Sequence, residues 1–442
     1  MSKKKKKWIE RGKNVLIAAL TCSAAFLLLR GQYGELGGRP GGWLSGLYQT
    51  LSAAGGSGSE NAVVLTEAVR PVRMAVTTAQ GRYGVEYDDE ALETLFTAAG
   101  PLLMESMALC GQAKPGTERE WRAALEHPGV YFDFLGSVPL DALSGRGEEA
   151  QVRDHAARRM LLSLERGTAR LWYWNETDGI PYSCVLTETL RTQLSDLVGD
   201  QFTNDSGTFF AFERENDYML SPFQMLTAQP ETLPVYQAAN PLAENSEQVE
   251  RLVQNAGFNP HALYTVNGEW IVKDGTDTLR IRPDGVVTFF SSGEGGAARL
   301  PVAVSGEQAT PAEAIEGARN LVDQTLGQTQ GAARFYLISC TETENGGMEV
   351  RFGYLLNGAE VRLSGGSCCA RVVVTGARIS SFTLHYRSYT DSELDASVLP
   401  LEQAAAAMRA LEPDGGELLL CYPDGGGEGP VQAKWSVRSA KP

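Results

Sequence analysis

The stretch TPAEAIEGARNLVDQTLGQTQGAARFYLISCTETENGGMEVRFGYLLNGAEVRLS (residues 310–364) sets out an α+β plan in a single pass. Residues 310–326 space their apolar side chains as one face of a helix. Two runs then follow, ARFYLISCTETE (333–344) and GMEVRFGYLLNGAEVRLS (347–364), rich in β-branched and aromatic residues. ARVVVTGARISSFTLHYRSY (370–389) continues the same pattern, with turns at Asn357-Gly358 and Thr375-Gly376. The order repeats upstream. SEQVERLVQNAGF (246–258) reads as a helix, and GEWIVKDG (268–275) with DTLRIRPDGVVTFFS (277–291) as strands, hinged at Asp284-Gly285. A helix laid across an antiparallel meander covers one sheet face, and the unit is used twice. A last helix, PLEQAAAAMRAL (400–411), precedes strands in GELLLCYPD and VQAKWSVRS.

Upstream lies a further α+β block, from residue 63 to 232. RPVRMAVTT and GRYGVEYD read as paired strands. DDEALETLFTAAGPLLMESMAL has helical spacing, with a break or kink expected at Gly100-Pro101. Thr117 and Glu120 in TEREWRAAL have the spacing of a capping box. GVYFDFLG, ARLWYWNE and YSCVLTE read as strands, and EEAQVRDHAARRMLLSLERG (148–167) between them as a helix. SPFQMLTAQPETLPVYQAANPL, rich in proline and uncharged polar residues, marks a boundary.

The chain opens MSKKKKKWIERGKNVLIAALTCSAAFLLLRGQYG. Seven basic residues precede an uncharged run from Val15 to Leu29 that Arg30 closes, which sets the N-terminus on the cytoplasmic side. Fifteen residues rise only about 22 Å as a helix, a length that suits a signal-peptide core. The exit RGQYGELGG, however, lacks the small residues of a cleavage site, and Lys13 and Arg30 can snorkel to lengthen the span. The expectation is an uncleaved anchor in the cell membrane, with the bulk of the chain outside the cytoplasm. The segments are then a basic cytoplasmic tail (1–14), a transmembrane anchor (15–30), a flexible Gly/Ser-rich stalk (31–62), an N-terminal α+β domain (63–232), and middle (233–305) and C-terminal (306–442) helix-plus-meander domains. Ala18, Ala19, Cys22, Ser23 and Ala25 form a stripe of small side chains on the anchor, a face on which another transmembrane helix can pack closely.

The net charge of −15 conceals an asymmetry, because residues 1–30 carry eight basic residues and one acidic one. The remainder stands at −22, a surface repelled by nucleic acid and other polyanions. Six cysteines follow the anchor: Cys110, Cys184, Cys340, Cys368, Cys369 and Cys421. Their even number permits disulfides, but the density is low and no framework spacing is present. None is expected to be needed for folding, and Cys368 and Cys369 read as small buried hydrophobes on opposite faces of a strand.

Motifs for catalysis are missing. His127, His155, His261 and His385 show no metal-ligating spacing, and there is no C-x-x-C, G-x-S-x-G or phosphate-binding glycine loop. Asp88, Asp89 and Glu90 sit at a helix start, where carboxylates favour the dipole. Trp172, Tyr173 and Trp174 offer a sugar-stacking platform in principle, but strand alternation sends them to opposite faces, one set to the core and the other to the surface. Tyr386 and Tyr389 have the same ambiguity. No catalytic residue, metal ligand or cofactor site is assigned.

TCSAAFLLL, GRYGVEYDDEALETLF, EREWRAALEHPGVYFDF, ALYTVNGEWIVKDGTDTLRIRPDGVVTFF and the closing VQAKWSV resemble, over nearly the whole chain, the YycH/YycI family. These are membrane-anchored regulators of the WalK (YycG) sensor histidine kinase, and the length matches the longer YycH type. The resemblance implies a non-catalytic regulator of a cell-wall-related two-component system, with no cofactor. Its partners would be a WalK-type kinase and a second YycH/YycI-like protein. An envelope scaffold, or an extracytoplasmic enzyme or inhibitor acting on the cell wall, is the alternative.

Overall fold

A computed structural model describes residues 69–144, 155–200, 207–214, 220–227, 230–243, 245–291, 299–411 and 416–439. The tail, anchor and stalk, with the stripe Ala18, Ala19, Cys22, Ser23 and Ala25, lie outside the described residues. Among the described residues no helix is long and apolar enough to cross a membrane.

The first sheet comprises β1 (Arg73–Thr77), β2 (Arg82–Glu86), β3 (Lys114–Pro115), β4 (Gly129–Pro139), β5 (Ala156–Glu165), β6 (Thr168–Asn175) and β7 (Ile180–Val185). Its order is β2-β1-β4-β5-β6-β7-β3, antiparallel throughout. Side chains of period two divide it into two apolar faces. Met74, Val130, Phe132, Met160, Leu162, Leu171 and Tyr173 point one way, into a core shared with helix α1 (Asp89–Leu109). Helix α2 (Glu118–Glu126) packs on the other face, where Trp121, Ala124 and Leu125 meet Ala75, Tyr131, Leu161 and Trp172. Short helix α3 (Leu140–Ser144) follows β4, and helix α4 (Glu188–Asp200) joins α1 through buried Leu190 and Leu194.

One local expectation is corrected, and two others are refined. Residues 156–165 form a strand, not part of a helix, because β5 lies between β4 and β6 and is buried on both faces. A run apolar on both sides shows no strand period, and the interstrand ladder decides its conformation. Of the two outcomes expected at Gly100-Pro101, a break does not occur, since helix α1 continues through Pro101. Gly100 accommodates this region, since a Cβ there would press on the Phe96 ring at 2.9–3.1 Å. The Pro-rich stretch after residue 220 contains a real strand, β10 (Thr232–Ala239), beyond the short β8 (Phe209–Phe210) and β9 (Met225–Leu226) hairpin. Pro234 fits in β10 because its neighbour on one side, β22 (Gly429–Val431), pairs only with Tyr236–Ala238. The other neighbour is β20 (Ser388–Ser397).

The two helix-plus-meander units merge into one sheet. It contains β11 (Tyr264–Val266), β12 (Glu269–Asp274), β13 (Asp277–Ile281), β14 (Val286–Phe290), β15 (Arg334–Glu342), β16 (Met348–Leu356), β17 (Ala359–Leu363), β18 (Ala370–Thr375), β19 (Arg378–His385), β21 (Gly416–Asp424) and β23 (Lys434–Ser439). The join is β14 against β19, from Val286 opposite His385 to Phe290 opposite Ser381. Pairing is antiparallel except between β17 and β21. One cross-strand row, Val272, Leu279, Phe289, Phe382, Val372 and Val350, is buried beneath the two helices, α5 (Ser246–Asn255) and α6 (Pro311–Gln324). Helix α7 (Leu401–Leu411) packs on β21 through Leu401, Ala405, Met408 and Leu418.

Cys110, which caps α1, is bonded to Cys184 on β7, with Cα atoms 6.1 Å apart. The expectation that no cysteine is needed for folding now rests on whether this bond is dispensable. A pairing 74 residues apart has no local signature in sequence. Chain entropy puts a loop of this length at about 4 kcal/mol, and native bonds typically contribute about 2–4 kcal/mol. Reduction, or Cys110→Ser with Cys184→Ser, is expected to lower the urea midpoint accordingly; an unchanged midpoint would show the bond to be dispensable. Cys340, Cys368, Cys369 and Cys421 are free, with Cys369 buried and Cys368 partly exposed.

Candidate functional site

The two sheets meet across a row of buried charges. Glu86 on β2, Arg73 on β1, Asp133 on β4 and Arg159 on β5 stand directly opposite one another on adjacent strands, alternating in sign. Opposite charges facing across strands attract, and burial strengthens the attraction. Arg158, beside Arg159, clasps Asp133 through both carboxylate oxygens, Nε to Oδ1 at 2.8 Å and Nη2 to Oδ2 at 3.1 Å. Arg73 Nη1 donates to Asp133 Oδ2 at 3.3 Å. The large sheet supplies the closing group: Glu417 on β21 accepts from Arg158 Nη1 at 2.7 Å and from Arg159.

Asp133 is 1 % exposed and Glu417 6 %. Burial works to raise the Asp133 pKa, but Arg158 and Arg73 outweigh it and hold the carboxyl well below its usual range. Glu86 moves the other way: burial dominates and raises its pKa against the opposing pull of Arg73. Its geometry agrees, since Arg73 Nε and Glu86 Oε1 lie 2.9 Å apart without a hydrogen-bonding angle.

Apolar and backbone contacts surround this row. Val72 and Leu135 of the first sheet pack with Tyr336, Leu355 and Leu419 of the second. Tyr336 Oη donates to Glu360 at 2.7 Å, and Arg438 Nη1 donates to Leu135 O at 3.0 Å. Gln224 holds Leu418 from both sides, donating to its carbonyl at 2.6 Å and accepting from its N–H at 3.0 Å. The arrangement is a joint whose charges are neutralised by one another. It orients the sheets and leaves no exposed acid or base for proton transfer.

The residues singled out from sequence fall elsewhere. Asp88 caps α1, accepting from Ala91 N at 2.9 Å, and Asp89 meets Arg334 at 3.2 Å. Thr117 and Glu120 form the expected capping box. Trp172 and Trp174 lie under α2 and Phe223, while Tyr173 is buried on the opposite face, so this trio provides packing on both sides of the sheet. Tyr386 is buried, and Tyr389 Oη donates to Asp424 at 2.8 Å. Arg387 between them grips the same carboxylate at 2.7 and 2.9 Å and reaches the carbonyls of Gly426 and Gly427. His155 Nδ1 lies 2.8 Å from Tyr173 Oη, and His127 caps α2. Among the described residues no three His, Cys, Asp or Glu side chains are grouped to hold a metal ion. Near the start of α1, Tyr83, Asp88, Glu90, Ala91, Thr94 and Leu95 line an open cleft of about 300 Å³.

The charged joint was missed in sequence. Its signals were Asp133 alone among apolar residues in VYFDFL, and Arg158-Arg159 leading into MLLSL.

This architecture defines an α+β protein built of two helix-covered sheets joined by buried ion pairs. No known family profile and no curated protein matches the chain. Among solved structures it is similar to YycH from Bacillus subtilis, with a TM-score of 0.55 and 13 % identity, over 86 % of this chain and 95 % of that one. At that identity the likeness is one of fold.

Proposed function

We propose that the chain is a non-catalytic, membrane-anchored regulator of a WalK-type sensor histidine kinase, with residues 31–442 outside the cytoplasm. The observation that carries this reading is the fold shared with YycH along 86 % of the chain, in agreement with the family resemblance of its sequence. The Cys110–Cys184 bond supports an extracytoplasmic location, because disulfides persist in oxidising compartments. In this reading residues 15–30 anchor the protein, and Ala18, Ala19, Cys22, Ser23 and Ala25 pack against a transmembrane helix of the kinase. The folded region biases that helix pair between two arrangements. A second YycH/YycI-like protein is a further partner.

The test is co-purification of tagged full-length protein with the kinase from membranes. Replacing Ala18, Cys22 and Ala25 together by leucine is expected to preserve membrane insertion while reducing kinase recovery several-fold. Unchanged recovery and unchanged kinase output would reduce the helix to an anchor. Failure of the wild-type protein to recover any kinase would overturn the regulator reading.

A further inference from the structure

The large sheet has a second face, opposite the helices; the first sheet packs on its Tyr336 and Leu355 end, and no described helix covers the rest. Directly opposed side chains run across it in one row: Ile271, Arg280, Thr288, Thr383, Arg371, Arg351 and Ser339, from β12 to β15. Six interstrand steps make this row about 29 Å long. Antiparallel sheets commonly leave one face in water, and threonines and serines suit that role. Two features do not. Arg351 and Arg371 stand directly opposite each other on adjacent strands, a like-charge pairing that weakens a sheet. Phe290, in the next row, is 60 % exposed.

Glu349 holds the arginine pair, accepting from Arg351 Nε at 2.6 Å and from Arg371 Nε at 2.8 Å and Nη2 at 2.5 Å. One carboxylate against two guanidinium groups leaves a positive balance, directed outward from side chains about half exposed. Lys273 extends the same sign along the face, whereas Arg280 is offset by Glu269 at 4.0 Å. Arginine and an exposed aromatic on a flat surface are features of a protein interface, and an inorganic polyphosphate has no apolar group to meet Phe290. The occupant should therefore be a protein surface bearing acids around an apolar residue.

The chain carries such a surface. Strand β20 is an outer strand of its three-stranded sheet. It exposes Asp391, Glu393 and Asp395 around Leu394, which is 63 % exposed. Acidic residues alone would be ordinary protection of an edge strand, but a leucine among them defeats that purpose. The acidic segment Asp391–Asp395, which contains a bulge at Ser392-Glu393, is short enough to lie within the row. We propose that the open face of β12–β19 seats the β20 ribbon of a second copy of this chain, with Arg351 and Arg371 facing Asp391, Glu393 and Asp395. This is independent of the kinase reading.

The test mixes donor- and acceptor-labelled pools of the full-length chain in detergent micelles and follows energy transfer against concentration and salt. Wild-type pools should associate, and more weakly as salt rises. A pool carrying Arg351→Glu with Arg371→Glu should self-associate about tenfold more weakly, as should one carrying Asp391→Lys, Glu393→Lys and Asp395→Lys. Mixing these two reversed pools should restore transfer, which also shows that both are folded. Monomeric wild-type protein, full association of either reversed pool, or failure of the mixture to recover would overturn the proposal. Monomeric wild-type protein that binds inorganic polyphosphate through Arg351 and Arg371 would likewise overturn it, identifying an anionic polymer as the occupant.

Discussion

Replacing Asp133 with alanine is expected to cost about 3–5 kcal/mol of folding free energy, read as a large fall in the urea and thermal midpoints. The carboxylate is the centre of the joint: it accepts from Arg158 twice and from Arg73 once. Its removal leaves guanidinium groups buried with half their neutralising charge gone. Glu417 still holds one side of Arg158, which keeps the loss within that range. The pH dependence supplies a second readout. Because the folded-state pKa of Asp133 is depressed, its contribution is complete above the unfolded value near 4 and is lost as pH falls below it. The gap between wild type and Asp133→Asn should therefore be full at pH 7 and narrow progressively below about pH 4. Glu86, with its pKa raised, has the opposite sign, gaining in relative stability as it protonates. It thus softens the acid transition of the wild-type protein. A gap independent of pH would mean that Asp133 acts through packing and not through charge.

What could be read from sequence was whatever local periodicity controls. Meander strands, the hairpins at Asp284-Gly285 and Asn357-Gly358, and the capped start at Thr117 all depend on a few neighbouring residues, and the structure contains them. The misreadings share a physical cause. Residues 156–165 resemble a helix because both of their faces are buried, which only the presence of β4 and β6 on either side explains. Strand β10 is concealed by Pro234 and the prolines flanking it, yet it pairs with β20, whose sequence lies over 150 residues later, where Val235 stands opposite Leu394. The charged joint depends on the same kind of long-range placement. Arg158 and Glu417 have no relation in sequence, and their individual residue types suggest only solvated surface. Non-local pairing brings them together, and no window of the sequence contains it. The outcome for Trp172–Trp174 was half legible: alternation assigned the faces correctly, but α2 covers the side expected to meet solvent.

Gly136→Ala is expected to destabilise the protein by at least about 3 kcal/mol, the upper part of the range for overpacking. Strand β4 does more than pair within its own sheet, since its far half crosses against β15 of the other. There the backbone of Gly136 lies directly on the Leu337 and Ile338 peptides, and an added Cβ would overlap Leu337 O and come within 2.7 Å of Ile338 O and 2.8 Å of Ile338 Cα. All of these are main-chain atoms, so no rotamer change can make room. Either β4 or β15 has to move. Movement of β4 carries Leu135 away from Tyr336 and Leu355, and it shifts Asp133, two residues earlier, relative to the partners that bind it. One methyl group therefore strains the apolar and the ionic halves of the joint together. A matched control is Gly111→Ala, where nothing lies within 4 Å of the new Cβ, and an effect within about 0.5 kcal/mol is expected. Equal effects of the two substitutions on the urea midpoint would show that the sheets do not depend on this close crossing. A large difference, together with loss of the pH-dependent contribution of Asp133 in the Gly136→Ala protein, would show that backbone proximity and the buried charges act as one structural unit.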